Sequence, residues 1–356
     1  MQYRLEKSGQ VLTLESSPIA LGGEAYLYGV AGNDNLVAKI YHNPNTAKAA
    51  KLAAMIANPP DDPMATRGHA SIAWPIDRLM SATEDRRFAG FIMPRVKHTY
   101  SIFEFYNPRT RRTKCPLFHY GYLIRTARNL AAAFRALHLR GYVVGDVNES
   151  NILVSETALV TLVDTDSFQV PDQGQIYRCP VGKPEFTPPE LQNINFRDTD
   201  RLPIHDGFGL GVLIFLLLME GTHPFAGRYT GTNEPPPIAV RIALGHYPYG
   251  IGINIPYEPM PFAPPIGLLH PTLRALMRRC FETGLTHPAG RPDATEWVQA
   301  LDIAESNLRT CRVNPQHFYR VGFGLCPWCE RAKHLNGKDS FPSRDAVKNG
   351  EHLRSA

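Results

Sequence analysis

Long hydrophobic runs are missing from this chain of 356 residues: the longest, Leu210 to Met219, holds ten. A membrane-spanning helix needs roughly 20 apolar residues, so this run reads as a buried core helix and a membrane protein is not expected. Cysteine is scarce, with six residues, too few for a disulfide scaffold at this length. Charge of one sign is also in short supply. Lys and Arg number 38 against 33 Asp and Glu, and the net +5 is far below the load of a dedicated nucleic-acid binder. The segment Met1 to Lys7 is charged and has no apolar stretch behind it, so no secretory signal is expected and the chain reads as cytoplasmic and reduced. Apolar residues make up 43%, enough for a real core, which excludes disorder as the main state.

What excess there is lies at one end. From Asn307 onward there are nine Lys or Arg and four acids, so residues 1–306 are balanced by count. Half of the cysteines fall in the same segment, in the pattern Cys311-x5-His317-x8-Cys326-Pro327-Trp328-Cys329. Cys-x2-Cys forms one knuckle, and a Cys and a His supply the other corners of a tetrahedron, as in a structural Zn²⁺ site. His334 is the substitute ligand, and a redox pair at Cys326 and Cys329 is the competing reading. The basic surplus reads as a solvated or partner-facing surface, not a nucleic-acid site. Cys115, Cys179 and Cys280 read as packing residues, and a mobile end is expected from about Ser340.

Residues 2–41 alternate apolar and polar with turn signals at Gly22-Gly23 and Gly32-Asn33-Asp34, the pattern of antiparallel strands. A helix is expected over 46–57, stopped by Pro59-Pro60, and strand patterning returns from Ile72 to Val96. From Tyr120 to Leu139 apolar residues recur at helical spacing and end at Gly141. Two β-rich runs follow, 151–154 and 159–163, then helices over 207–219, around 272–280 and over 295–308. Eleven prolines between Pro224 and Pro271 predict ordered loops over a helical lobe.

The sharpest local signal is Gly145-Asp146-Val147-Asn148-Glu149-Ser150-Asn151, followed past a hairpin by Asp164-Thr165-Asp166. It brings an acid, an amide oxygen and further carboxylates to one cleft, hard ligands suited to Mg²⁺ held against phosphates. Alone, Asp-x4-Asn is weak, because a loop Asp is more often a turn former. Order along the chain lifts it. Lys39 in Val37-Ala38-Lys39-Ile40 and the small residues of Gly22-Gly23-Glu24-Ala25 precede it, and Pro188-Pro189-Glu190, Asp206 and Arg291 follow.

Over roughly residues 15–305 this sequence resembles the eukaryotic-type Ser/Thr protein kinases. The resemblance implies an α+β, bilobal protein-kinase-like fold with an N-lobe over 1–97 and a C-lobe over 98–308, to which the Cys/His pattern of the tail adds a small zinc-knuckle extension over 309–356. It implies ATP and Mg²⁺ or Mn²⁺ as cofactors and a protein substrate. Asp146 would accept the proton of the substrate hydroxyl, and Asn151 and Asp164 would hold the metal, with Asp166 the rival of Asp164. Lys39 would meet the α- and β-phosphates under a loop of Gly22, Gly23, Glu24 and Ala25. Adenine would lie at a hinge near Met93 and Val96, with Ile92 or Phe91 behind it. Glu190 would pair with Arg291, and Asp206 would brace the catalytic loop.

Three departures bear on mechanism. Gly145 replaces the Arg that usually clamps a phosphorylated activation loop, so that phosphorylation is not expected to be required. Asn148 replaces the Lys that usually neutralises the γ-phosphate. No acid occurs between Lys39 and Asp61, so the helix Glu that orients the strand Lys is absent, with Glu24 its candidate substitute. Within the kinases, Asn58-Pro59-Pro60, Phe91-Ile92-Met93-Pro94-Arg95, the two acidic loops and Cys326-Pro327-Trp328-Cys329 resemble a bacterial subgroup, the kinases of the tellurite-resistance-associated phosphorylation triad. That resemblance implies a von Willebrand A-type protein and a PP2C-type phosphatase as partners in a stress or metal-resistance signalling module. The alternative functions are a nucleotide-binding pseudokinase scaffold and a small-molecule phosphotransferase.

Overall fold

Strand alternation near the N-terminus produces a curled antiparallel sheet in the computed structural model, which describes residues 1–252 and 254–353. Its strands are β1 (Gln2–Leu5), β2 (Val11–Thr13), β3 (Ala20–Leu21), β4 (Ala25–Val30), β5 (Asn33–Tyr41), β6 (Asp77–Ser81) and β7 (Phe88–Pro94), in the order β2-β1-β6-β7-β5-β4-β3. Because successive side chains point to opposite faces, the sheet builds two cores. Ala38, Ile92 and Leu79 face a small outer cluster with Leu14, Tyr28 and Val30, whereas Val37, Tyr41, Phe91 and Met93 belong to the main core. Helix α1 (Thr46–Ala57) lays Leu52 and Met55 on that inner side. The Asn45 side chain caps it by accepting from the Lys48 N–H at 2.8 Å, and it ends at Asn58, before the two prolines that forbid continuation.

The rest is mainly helical. Strand β8 (Thr99–Ser101) leads into α2 (Ile102–Tyr106), α3 (Pro108–Lys114) and α4 (Tyr120–His138), whose inner face is buried along its whole length. β9 (Ile152–Ser155) and β10 (Val160–Leu162) form a hairpin edged by β8, and β11 (Val170–Asp172) pairs with β12 (Gln175–Tyr177). Helix α5 (Pro203–Leu218) starts four residues earlier than its apolar run predicts, because Pro203 suits the first helical position and His205 Nδ1 accepts from the Leu202 N–H at 2.9 Å. Glycine brings it close to its neighbours: a Cβ at Gly209 would lie 2.9 Å from Val147 of the Asp146 loop, and one at Gly211 only 2.7 Å from Cys280 Sγ. β13 (Gly227–Tyr229) and β14 (Tyr257–Pro259) pair across the proline-rich region, which also holds α6 (Ile238–Ala243). Then come α7 (Pro271–Arg278), the short α8 (Gly284–Thr286) and α9 (Ala294–Ser306), capped reciprocally by Asp293 and Glu296 and packed along α4.

The C-terminal segment contains β15 (Leu308–Thr310), β16 (Phe318–Arg320), α10 (Pro327–His334) and α11 (Arg344–Lys348). The main core runs into it without a break, taking in Cys311, Tyr319, Trp328 and Phe341. Trp328 sits between Tyr120 of α4 and Phe341, with ring centroids 4.9 and 4.7 Å away. The expectation of a mobile end from Ser340 is therefore corrected: Ser340 and Phe341 are buried and α11 follows them. A single aromatic anchor leaves no periodic signal in sequence, yet fixes the segment that carries it. Among the described residues no helix is long and apolar enough to cross a membrane.

Candidate active site and cysteine cluster

Between the inner side of the sheet and the β9–β10 hairpin lies a cavity of 750 Å³, the size range of small-molecule sites. Gly22, Gly23, Glu24, Ala25, Lys39, Met93, Val96, Asp164 and Asp166 all line it, so nine of the expected site residues converge there. One end is apolar, with Val37, Met93, Val96, Leu153 and Val163. Phe91 lies on the cleft side of the sheet and Ile92 on the outer side, so of the two only Phe91 stands behind the cavity. Gly22 to Ala25 form a tight turn between β3 and β4, in which the Gly22 N–H donates to Ala25 O at 3.0 Å.

The polar end centres on Lys39. Its ammonium donates to Asp164 Oδ1 at 2.7 Å and Asp166 Oδ1 at 2.6 Å, while the Tyr41 hydroxyl donates to Asp166 Oδ2 at 2.6 Å. Lys39 and Tyr41 share a face because they are two residues apart on β5. Burial works against the Lys39 charge, but Asp166 and Asp164 outweigh it and hold its pKa above the ordinary value. Burial and the negative Asp166 both push the Tyr41 hydroxyl up, so it stays a donor. The two carboxylates are unequal. Asp166 is 9% exposed and held from two sides, whereas Asp164 is 43% exposed and sits in the left-handed region at φ 58°. Burial and the adjacent Asp166 raise the Asp164 pKa against the pull of Lys39. Two carboxylates thus share one ammonium, and the uncompensated negative charge suits a hard cation at the more open one. Glu24 meets Lys48 of α1 at 3.3 Å, not Lys39, which corrects the expectation that it replaces the helix acid.

Asp146 and Asn151 stand outside the cavity lining, joined to each other and to its floor. Asn151 Nδ2 donates to the Asp146 backbone O and to Oδ2, each at 3.2 Å, and the Val163 N–H donates to Asn151 O at 3.0 Å. With its amide nitrogen so used, Asn151 keeps its Oδ1 clear of any partner among the described residues. The loop is braced from below by Asp206, 2% exposed, which accepts from the Val144 and Gly145 N–H groups at 2.7 and 2.9 Å. Asn148 turns inward, donating to Asp146 O at 3.1 Å and accepting from the Ser150 N–H at 2.9 Å, so it presents no group to a phosphate. Glu190 and the fully buried Arg291 form a bidentate pair.

One residue the sequence reading passed over is Arg201. Buried at 4% exposure and stacked 4.1 Å over Phe196, it donates to the backbone oxygens of Gly145 at 2.9 Å, Val181 at 2.9 Å and Cys179. It therefore ties the Asp146 loop to residues 179–181 without any phosphate. Gly145 makes the room: at φ 74°, a Cβ there would lie 2.7 Å from Arg201 Nη2. No motif marks Arg201, and the glycine was its only trace in the sequence.

The second constellation is Cys311, His317, Cys326 and Cys329, whose ligand atoms all lie within 4.8 Å of one another. Cys311 and Cys329 sulfurs are 3.7 Å apart, and His317 Nδ1 is 3.5 Å from both Cys326 and Cys329 Sγ. Bond lengths of about 2.3 Å to sulfur and about 2.0 Å to nitrogen give tetrahedral edges of about 3.8 and about 3.5 Å, so the spacing fits Zn²⁺. The Nε2 side of the ring lies 2.9 Å from Asp339, which directs Nδ1 inward, as outer carboxylates do for metal-bound histidines. His334 lies outside the cluster, at the end of α10.

Curled sheet, cleft and braced acidic loop together make a mixed α/β fold that is consistent with a kinase-like one. No family model matches the chain. It is similar to a protein named Protein kinase YegI from Escherichia coli K12, 34% identical over 326 residues, 90% of this chain and 49% of that protein. The protein of the same name from Escherichia coli O157:H7 is 35% identical over 312 residues, 86% of this chain and 47% of its own length. A probable cAMP-dependent protein kinase catalytic subunit from Encephalitozoon cuniculi is 34% identical over 99 residues, 28% of this chain and 29% of that one. The chain spans about half the length of the two Escherichia coli relatives it matches.

Proposed function

We propose that this chain is an ATP-dependent protein kinase that transfers the γ-phosphoryl group to Ser or Thr hydroxyls. The observation that carries the reading is Lys39 held between Asp164 and Asp166 at the polar end of a cavity whose other end is apolar. Adenine fits the apolar end, with the phosphates directed to Lys39. Asp164 and Asn151 Oδ1 would hold Mg²⁺, which when bound would supply charge neutralisation at the transferring phosphate. Asp166, fixed by Tyr41, keeps Lys39 in place. The bond from the acceptor oxygen to the γ-phosphorus forms as the bond to the β-phosphate oxygen breaks, ADP leaves, and the hydroxyl proton passes to Asp146. Most of the rate comes from positioning and charge stabilisation.

The Cys311, His317, Cys326 and Cys329 cluster is assigned to structural Zn²⁺, because all four corners are protein ligands. Ser/Thr specificity, the signalling module and the von Willebrand A-type and PP2C-type partners rest on the resemblance of the motifs alone. With γ-labelled ATP and Mg²⁺ or Mn²⁺, the chain should label itself or a generic protein, and Asp146→Asn should lower transfer by about 10³-fold while binding ATP normally. No transfer by either form, with equal nucleotide binding, would establish the scaffold reading. ADP release that depends on a small acceptor would establish the small-molecule phosphotransferase.

A further inference from the structure

Four cations line the cavity, and three are already paired: Lys39 with Asp164 and Asp166, Lys48 with Glu24, and Arg95 with Asp34. The fourth, Lys51, projects from α1, and no carboxylate oxygen among the described residues lies within 4.0 Å of its ammonium. It stands on the helix where a partner acid for Lys39 would be expected, yet that acid is not needed, since Asp166 and Tyr41 anchor Lys39 from the other side. Lys51 lines the same cavity as Asp164 and Asp166 and lies within range of their charges. Burial drives its pKa down, partly offset by the attraction of Asp166, which is the condition of a cation that lacks an anion.

The acidic loop has a matching deficit. Asn148 is folded into the loop, and Lys183, the nearby cation of the following segment, is committed to Glu149 at 2.8 Å. A triphosphate entering the cleft would find Lys39 shared by two carboxylates and no cation on the loop to meet its outer charge. We propose that Lys51 is a phosphate-binding residue, supplied by α1 in place of a helix acid, which pairs with the β- and γ-phosphates of bound ATP.

This assignment rests on the reading of the cleft as an ATP site, and the two can be tested separately. Lys51→Met keeps the length and apolar stem of the side chain and removes only the charge. The Kd values of ATP, ADP and adenosine would be measured calorimetrically for the full chain with Mg²⁺. A charge-assisted contact to phosphate predicts a rise of about 10- to 100-fold in the Kd of ATP, a smaller rise for ADP and no change for adenosine. Lys51→Arg should keep most of the affinity, and Lys51→Glu should be worse than Lys51→Met. If Lys51→Met weakens adenosine as much as ATP, the residue only packs, and the proposal fails. It fails also if the unaltered chain and Lys51→Met bind ATP equally, or if Lys51→Glu binds ATP better than Lys51→Met, since the helix would then want an acid. Absence of ATP binding by the unaltered chain would overturn the ATP-site reading itself, and this assignment with it.

Discussion

In the cleft, Lys39 meets carboxylates 125 and 127 residues further along the chain, one of them nearly half exposed. In the cysteine cluster, four ligand atoms come together within the stretch from Cys311 to Cys329, with Cys311 and His317 buried and Cys326 and Cys329 half-buried. The first arrangement exists only because a sheet, a hairpin and several distant braces are all in place. The second needs little more than a knuckle, a short hairpin and one outer carboxylate. Groups drawn from a short stretch can be assembled by the ion they bind, whereas groups drawn from far apart depend on the whole fold.

The sharpest way to probe this contrast is to remove local ligands. Cys326→Ser with Cys329→Ser should reduce zinc in the reduced protein from about one equivalent to none, with several kcal/mol of stability lost. Metal analysis and melting curves check this, and unchanged zinc content would rule out the cluster as the site. The nucleotide cleft, which shares no residue with the cluster, should still bind ATP in whatever fraction stays folded.

A smaller effect is expected at a brace of the cleft side. Glu190→Gln leaves the fully buried Arg291 without its anion, which costs about 3 kcal/mol at neutral pH. Burial alone would raise the Glu190 pKa, but Arg291 outweighs it and holds the carboxyl below its ordinary range. The stabilisation is then fully present above the unfolded carboxylate pKa and disappears as the pH falls through the lower folded value. Denaturant melts between neutrality and pH 3 should show this acid-side loss in the native chain and a flatter profile in Glu190→Gln. The smallest effect should come from Arg201→Met, which unties residues 179–181 from the Asp146 loop. Turnover should fall about tenfold through lost positioning while the Kd of ATP stays constant. An unchanged kcat would show that this cross-tie is dispensable.

The local parts of both sites were legible in the sequence because local chemistry determines them. Helix α1 ends where Pro59 and Pro60 forbid continuation, and the ligand spacing from Cys311 to Cys329 is a property of the segment alone. Lys39, Asp146 and Asp164 were legible through their order along a known pattern. What stayed hidden depends on contacts that no period encodes. Asp166 and Asp164 are indistinguishable in sequence, and only Tyr41, reaching over from β5, makes one an anchor and leaves the other open. Arg201 acts on partners outside its own segment, Asp339 reaches His317 from 22 residues further along the chain, and Phe341 is a lone aromatic in a polar tail.

Arg111 of α3 has a practical consequence for anyone who dissects this chain. Its guanidinium and the Glu220 carboxylate, each 1% exposed, pair at 2.6 Å beneath the C-terminal segment. Phe341 covers the guanidinium at 4.6 Å, and Ser340 O accepts from it at 3.4 Å. A clone stopped after α9 would strip the roof from this pair and the seat of Tyr120, creating a new sticky patch on the part that remains. The boundary that charge counting draws near residue 307 is a change of composition and a poor place to cut. A fragment that aggregates after such a cut would report the loss of its lid and say nothing about whether the intact chain is unstable.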